Sequence, residues 1–165
     1  MSKQILEYPN PILRKKSSAI KEITEEVKIL AEEMKKIMME KDGIGLAASQ
    51  IGESKSIIAA FFEGKSQVFI NPKIVRKSRK TEVMEEGCLS FPGLFLKIKR
   101  AKEVELEFLN LQGEKIKMKV DGLSARVFQH EIDHLDGILF IDKMSLPQKL
   151  CQVVKIRLLP GSKEK

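Results

Sequence analysis

The chain has only two histidines, and they stand four residues apart in Gln129-His130-Glu131-Ile132-Asp133-His134. Around them Leu123, Val127, His130 and His134 recur at steps of four, three and four, the period of one helical face. The spacing predicts a helix opened by Asp121-Gly122 and ended by Gly137, with both imidazoles on its inward, apolar stripe. Residues four apart lie about 40° apart around a helix axis, so the two rings can converge on one ion. A blander account makes both rings core side chains satisfied by backbone carbonyls. Burying two imidazoles without a ligand carries a desolvation cost, and the metal reading is preferred.

The pattern is H-E-x-x-H, in which the glutamate beside the ligands serves as a general base. Here that residue is Glu131. A catalytic ion of this kind takes a third protein ligand and keeps one position open. Beyond His134 there is no histidine, and the only glutamate is Glu164, close to the C-terminus. Asp136 and Asp142 have no distinctive setting, whereas Cys88 lies in Glu85-Glu86-Gly87-Cys88-Leu89-Ser90-Phe91-Pro92-Gly93, a turn-forming stretch that can expose backbone N–H groups. Cys88 is the expected third ligand. Cys151, flanked by Leu150, Val154 and Leu158, reads as a small buried hydrophobe, and no disulfide between the two cysteines is expected.

With 165 residues the chain is the size of one domain, expected over 1–165, and can bury a core without staples. The longest purely apolar run, Ile57 to Phe62, is too short to cross a bilayer, and the N-terminus lacks a secretory pattern; no membrane contact and a cytosolic location are expected. The net charge is +7, but lysines alternate with glutamates and no basic run carries interleaved aromatics, so no DNA contact is expected.

Thr24 can cap a helix that runs to about Lys41, with Val27, Leu30, Ala31, Met34, Ile37 and Met38 at helical spacing and Asp42-Gly43 as its stop. The small, nearly uncharged segment from Gly43 to Gln50 should lie inside. Ser56 to Phe62 reads as a buried strand, and Gln67 to Ile70 as another ending at Asn71-Pro72. Val104, Leu106 and Phe108 alternate with glutamates, then Ile116, Met118 and Val120 with lysines, around a turn at Gln112-Gly113. This is a hairpin with one wet face, whose Glu and Lys rows can pair at little gain. A last amphipathic helix is expected from about Pro147 to Leu159.

Gly43-Ile44-Gly45-Leu46-Ala47-Ala48-Ser49-Gln50, Glu86-Gly87-Cys88-Leu89-Ser90 and Gln129-His130-Glu131-Ile132-Asp133-His134 together resemble, in order, the three motifs of the peptide deformylase family. An Asn-Pro-Ile-Leu-Arg segment near the start and Leu135-Asp136-Gly137-Ile138-Leu139-Phe140 extend the likeness over nearly the whole chain. The resemblance implies an α+β fold, with antiparallel sheets around a central metal-binding helix and further helices at both ends. It implies hydrolysis of the formamide of N-formyl-methionyl nascent peptides, with formate released. It assigns Gln50 and the Leu89 N–H to the oxyanion, and implies ferrous iron as the native metal, with zinc or nickel tolerated. It also suggests that Arg100 meets the peptide, a plain surface arginine being the alternative.

For the methionine side chain, Ile44, Phe91 and Val127 are expected walls, and the aliphatic stem of Arg126 is expected to line the same pocket while its guanidinium reaches water. Gly43, Gly45 and Gly87 serve either as turn residues or to let a peptide approach the backbone. Glu86 is expected to orient a ligand or balance Arg126. From Lys143 to Lys165 there are six Lys or Arg against one Glu, so a ribosome contact through the C-terminal helix is expected as an addition to catalysis. Two other readings stay open: a zinc endopeptidase, disfavoured by a cysteine ligand and the Gln50 segment, and a non-enzymatic module with a structural metal, disfavoured because structural sites take four protein ligands.

Overall fold

Ile57 to Phe62 is apolar at consecutive positions because the strand it forms is covered on both sides. The computed structural model describes residues 3–149. In it β1 (Gly45–Ala47), β2 (Ile57–Phe62), β3 (Lys65–Lys77), β6 (Glu103–Leu109) and β7 (Lys115–Asp121) form one antiparallel sheet in the order β1-β2-β3-β6-β7. Helix α1 (Glu25–Glu40) packs on one face of this sheet, where Ile57 and Ala59 meet Leu30, Met34 and Met38. Helix α2 (Gly122–Leu135) packs on the other, where Ile58 and Ala60 meet Phe69, Val127 and Phe128. Side chains alternate across a strand, so one strand feeds two cores. Phe69 makes edge-to-face contacts with Phe108 and Phe128 at centroid distances of 4.8 and 4.7 Å, each such pair adding about 0.5 to 1.5 kcal/mol beyond area burial.

The six apolar positions expected to face inward on α1 are all buried. Thr24 occupies the N-cap position but its side chain makes no capping bond. The helix ends as Asp42 enters the left-handed region, at φ 51°. Residues 146–149 are helical at the edge of the described stretch, so most of the expected Pro147 to Leu159 helix, and Cys151, lie outside it. Among the described residues no helix is long and apolar enough to cross a membrane.

Three expectations require correction. The strand expected to end at Asn71-Pro72 continues to Lys77. Its pairing with β6 skips between Ile70 and Lys73, and Asn71 takes φ 49°, so the pair forms a bulge, where proline is tolerated. Asn71 also clips a distant segment, its side chain bonding the N–H of Ile20 at 2.8 Å and the carbonyl of Ile20 at 2.7 Å. Leu123, expected on the inward stripe, is 55% exposed, whereas Val127, His130 and His134 on the same stripe are buried. Finally, β4 (Thr81–Glu86) and β5 (Leu96–Ala101) pair into a separate two-stranded sheet that the reading of the residues did not anticipate. A third core of Leu13, Phe91, Leu96, Ile98 and Phe140 backs it.

Candidate metal centre

Helix α2 carries His130 and His134 with ring centroids 5.0 Å apart. The loop leaving β4 brings Cys88 to them, its Sγ 3.2 Å from Nε2 of His134. One ligand atom from each of the three lies within 4.8 Å of the others, close enough to share an ion. His130 turns its Nδ1 toward Glu86 Oε2 at 3.0 Å, which leaves Nε2 for the centre. Burial holds His134 well below the usual imidazole value, so it is neutral and ready to ligate. Burial also opposes charge on His130, but contacts with Cys88 and Glu86 outweigh it and lift this group to about 10.

Glu131 is buried beside the ligands, and burial pushes its carboxyl up to about 7. Its Oε2, like Nδ1 of His134, is buried without a hydrogen-bond partner among the described residues. Gly45 explains how the carboxylate fits: a Cβ at that position would stand 2.3 Å from Glu131 Oε1. A larger residue there would push the Glu131 carboxylate aside, so glycine serves by close approach and not by its backbone angles. Gln50 sits in a one-turn 3₁₀ helix, Ala48–Ile51, and is fully oriented. Its Oε1 accepts from the Ala47 N–H at 2.8 Å, while Nε2 donates to Ser90 Oγ at 3.1 Å and faces Cys88 Sγ at 3.5 Å.

These groups open onto a cleft of about 610 Å³. Ile44, Gly45, Gln50, Cys88, Leu89, Phe91, His130 and Glu131 all line it. Phe91 is buried and stacks on Tyr8 at 4.9 Å, and Ile44 is about half exposed on the rim. The cleft also takes in Ile5, Glu7 and Phe95, which were missed. Nothing in the local sequence marks the first two. Phe95, three residues past Phe91-Pro92, could have been noticed as an aromatic beside a turn; its ring rests so closely on Gly87 that a Cβ there would meet it at 2.8 Å.

Val127, Arg126 and Arg100 do not line the cleft. Val127 faces the sheet core shared with Phe128. Arg126, expected to send its guanidinium to water, is buried and bonds Glu86, the carbonyl of Ile98 at 2.9 Å and the carbonyl of Glu82 at 2.9 Å. Arg100, expected at the peptide or on the surface, is also buried. It grips Glu86 through Nε at 2.6 Å and Nη2 at 3.0 Å, and Asp133 through Nη1 at 2.7 Å. Both guanidiniums are drawn inward because Glu86 is buried and charged. Burial alone would raise its carboxyl, but bonds from His130 and Arg100 hold it at about 2. Glu86 thus contacts both a candidate ligand and Arg126, the two contacts entertained for it.

A model of the family described as polypeptide deformylase matches residues 2–150. The chain is 42% identical over 161 residues to a peptide deformylase of Pseudothermotoga lettingae, covering 94% of each sequence. It is 43% identical over 148 residues to the chloroplastic peptide deformylase 1B of Oryza sativa, covering 87% of this chain but 55% of that longer protein. Among solved structures, the peptide deformylase of Thermotoga maritima superposes with a TM-score of 0.85 at 39% identity, over 88% of this chain and 99% of that one. The Plasmodium falciparum peptide deformylase superposes with a TM-score of 0.89 at 39% identity, over 94% of each.

Proposed function

The chain belongs to the polypeptide deformylase family, hydrolases that remove the formyl group from new polypeptides, and on that premise we propose how its own residues carry the reaction. We take residues 1–165 to act as one catalytic domain. Cys88, His130 and His134 would hold a divalent ion, ferrous iron natively, with zinc or nickel in purified protein; two imidazoles and a thiolate accept all three. The bound ion supplies Lewis acidity and makes water a stronger acid. The observation that carries this reading is the convergence of these three ligand atoms beside a buried carboxylate, Glu131, whose Oε2 has no partner.

In this reading Glu131 takes the proton of the attacking water and returns it to the departing amine nitrogen. The side-chain amide of Gln50, held by Ala47 and Ser90, and the backbone N–H of Leu89 donate to the oxygen that gains negative charge when water adds to the formyl carbon. Fixed donors of this kind are worth roughly 3 to 4 kcal/mol each in a dry site. Ile44, Gly45 and Phe91 form the walls that receive the methionine end of the substrate. Arg100, Arg126 and Val127 have no place in that contact.

Metal analysis of anaerobically purified protein, run beside formate release by wild type and Glu131→Ala, tests the scheme. The variant should keep its ion and lose at least about 10²-fold in rate. An unchanged rate in the variant, or wild-type protein that binds no ion, would overturn the reading.

Two finer points complete it. A cytosolic location fits the bacterial relatives, whereas the plant relatives are named for organelles. Ribosome contact through Lys143 to Lys165 rests on charge alone, and residues 150–165 lie outside the described stretch. Neutralising Lys149, Lys155 and Arg157 should weaken salt-sensitive cosedimentation with ribosomes; unchanged binding would remove this contact from the scheme.

A further inference from the structure

Only about half of the surface cations among the described residues pair with a carboxylate, as along β6 and β7. The small sheet and the turn beside it gather six of those that do not, although Lys97 stands directly across the pair from Glu85. Lys97 and Lys99 alternate with buried Leu96, Ile98 and Arg100, so both stand on its outward face. Beyond them the N–H of Lys102 donates to the carbonyl of Lys80 at 2.9 Å, and the N–H of Ser78 to the carbonyl of Glu103 at 2.9 Å. These bonds fix the turn that carries Lys77, Arg79 and Lys80 against Lys102. All six cations are exposed and none forms an ion pair among the described residues.

Glu82 and Glu85 on β4 and Glu103 beside Lys102 dilute them, six positive charges against three negative, and Glu103 already pairs with Lys119. Lys97 lies two residues from Phe95 on the cleft rim, and the five steps to Lys102 span roughly 16 Å along the strand. The strip therefore runs from the mouth of the cleft to a corner of the molecule.

We propose that this outward face of the β4–β5 hairpin docks the phosphate backbone of folded RNA. Charge complementarity selects a polyanion, and a paired ribbon presents the lysines on a rigid platform rather than on a mobile tail. The exposed aromatic beside them, Phe95, lies at the cleft end next to Lys97 and stands alone, so no row of rings forms a base-stacking platform, and contact is to phosphates without regard to sequence. The strip also lacks the apolar wedge that would favour a lipid surface, since the exposed large apolar side chains near it, Val75, Val83 and Phe95, are scattered singly along it. The inference is independent of the deformylation scheme, because none of the six cations lines the cleft.

The test is fluorescence anisotropy of the full, metal-loaded chain with a labelled RNA hairpin across a salt series. K97Q/K99Q/K102Q is compared with K15Q/K21Q/K65Q, which removes the same charge from unpaired lysines elsewhere. The strip variant should bind at least about 10-fold more weakly, with the slope of log affinity against log salt reduced by roughly 2 to 3, near 0.9 per lost phosphate contact. The second variant should stay close to wild type, and formate release should be unchanged in both. Equal losses in the two variants, no loss in the strip variant, or tighter strip-dependent binding to phosphatidylserine vesicles or polyglutamate than to the hairpin would overturn the proposal.

Discussion

Two regions of the molecule pair carboxylates with cations, and they differ in what the pairing does. On the hairpin of β6 and β7, Glu107 meets Lys115 at 3.1 Å and Lys117 at 2.8 Å, with all three groups open to water. Around Glu86 the same chemistry is buried: one carboxylate receives Arg100, Arg126 and the ring of His130, and Arg100 reaches on to Asp133. Water screens the first system, so each partner there is dispensable. In the second, every charge was taken out of water and relies on its neighbours, so each removal leaves an orphan. Proximity alone therefore does not rank ion pairs; desolvation does, and only the buried set reaches the metal centre.

Breaking the hub at its middle should have the largest effect. Glu86→Gln leaves two buried guanidiniums under-compensated, and urea unfolding should show a loss of about 3 to 5 kcal/mol. The same variant should bind metal 10- to 100-fold more weakly by competitive chelation, since His130 loses the group that orients it. The pH dependence has a definite sign. The folded carboxyl, at about 2, lies below its ordinary value near 4.5, so its contribution is complete above that value and is lost as pH falls toward about 2. The stability gap between wild type and variant should accordingly close below pH 4.5 in matched metal-free samples.

Metal removal comes next. At an ion concentration a hundredfold above its dissociation constant, binding should add about 2.7 kcal/mol to wild-type stability, read as a shift of the thermal midpoint on chelation. At that same concentration Glu86→Gln should show a smaller shift, and an equal one would uncouple hub from centre. Arg126→Met should be milder, about 1 to 3 kcal/mol by urea unfolding, because Glu86 keeps Arg100 and His130 while two backbone carbonyls lose a donor. Formate release per bound ion should hardly change. Smallest of all, Glu107→Gln should move the unfolding midpoint by little more than measurement error, with no difference in high salt. A large loss there would erase the contrast between the two regions.

The sequence exposes the parts of this molecule whose period or composition is local. Six inward residues of α1, the β6–β7 hairpin and the two histidines each follow from spacing within one element. Cys88 was reachable because its turn-forming setting set it apart from Asp136 and Asp142, carboxylates downstream of His134. The small sheet was not legible: β4 reads Thr-Glu-Val-Met-Glu-Glu, polar enough to pass for a loop, and its pairing depends on β5 ten residues on. Arg100 and Arg126 were misplaced for a related reason. A lone arginine looks like surface or substrate contact until the buried carboxylate that holds it is located, and Glu86 lies 14 and 40 residues away from them. Asn71-Pro72 looked like an end because a bulge and a terminus share the same residues, and only the partner strand distinguishes them.

The double-faced strand β2 also divides responsibility within the scaffold. Ala59 and Ala60 are neighbours in sequence, yet one belongs to the α1 side and the other to the side that seats the histidine helix. A methyl group added to the first presses on architecture, and one added to the second presses on the reaction centre from behind. The strand is a party wall between two tenants, and variation can be admitted on one side without the other ever hearing it.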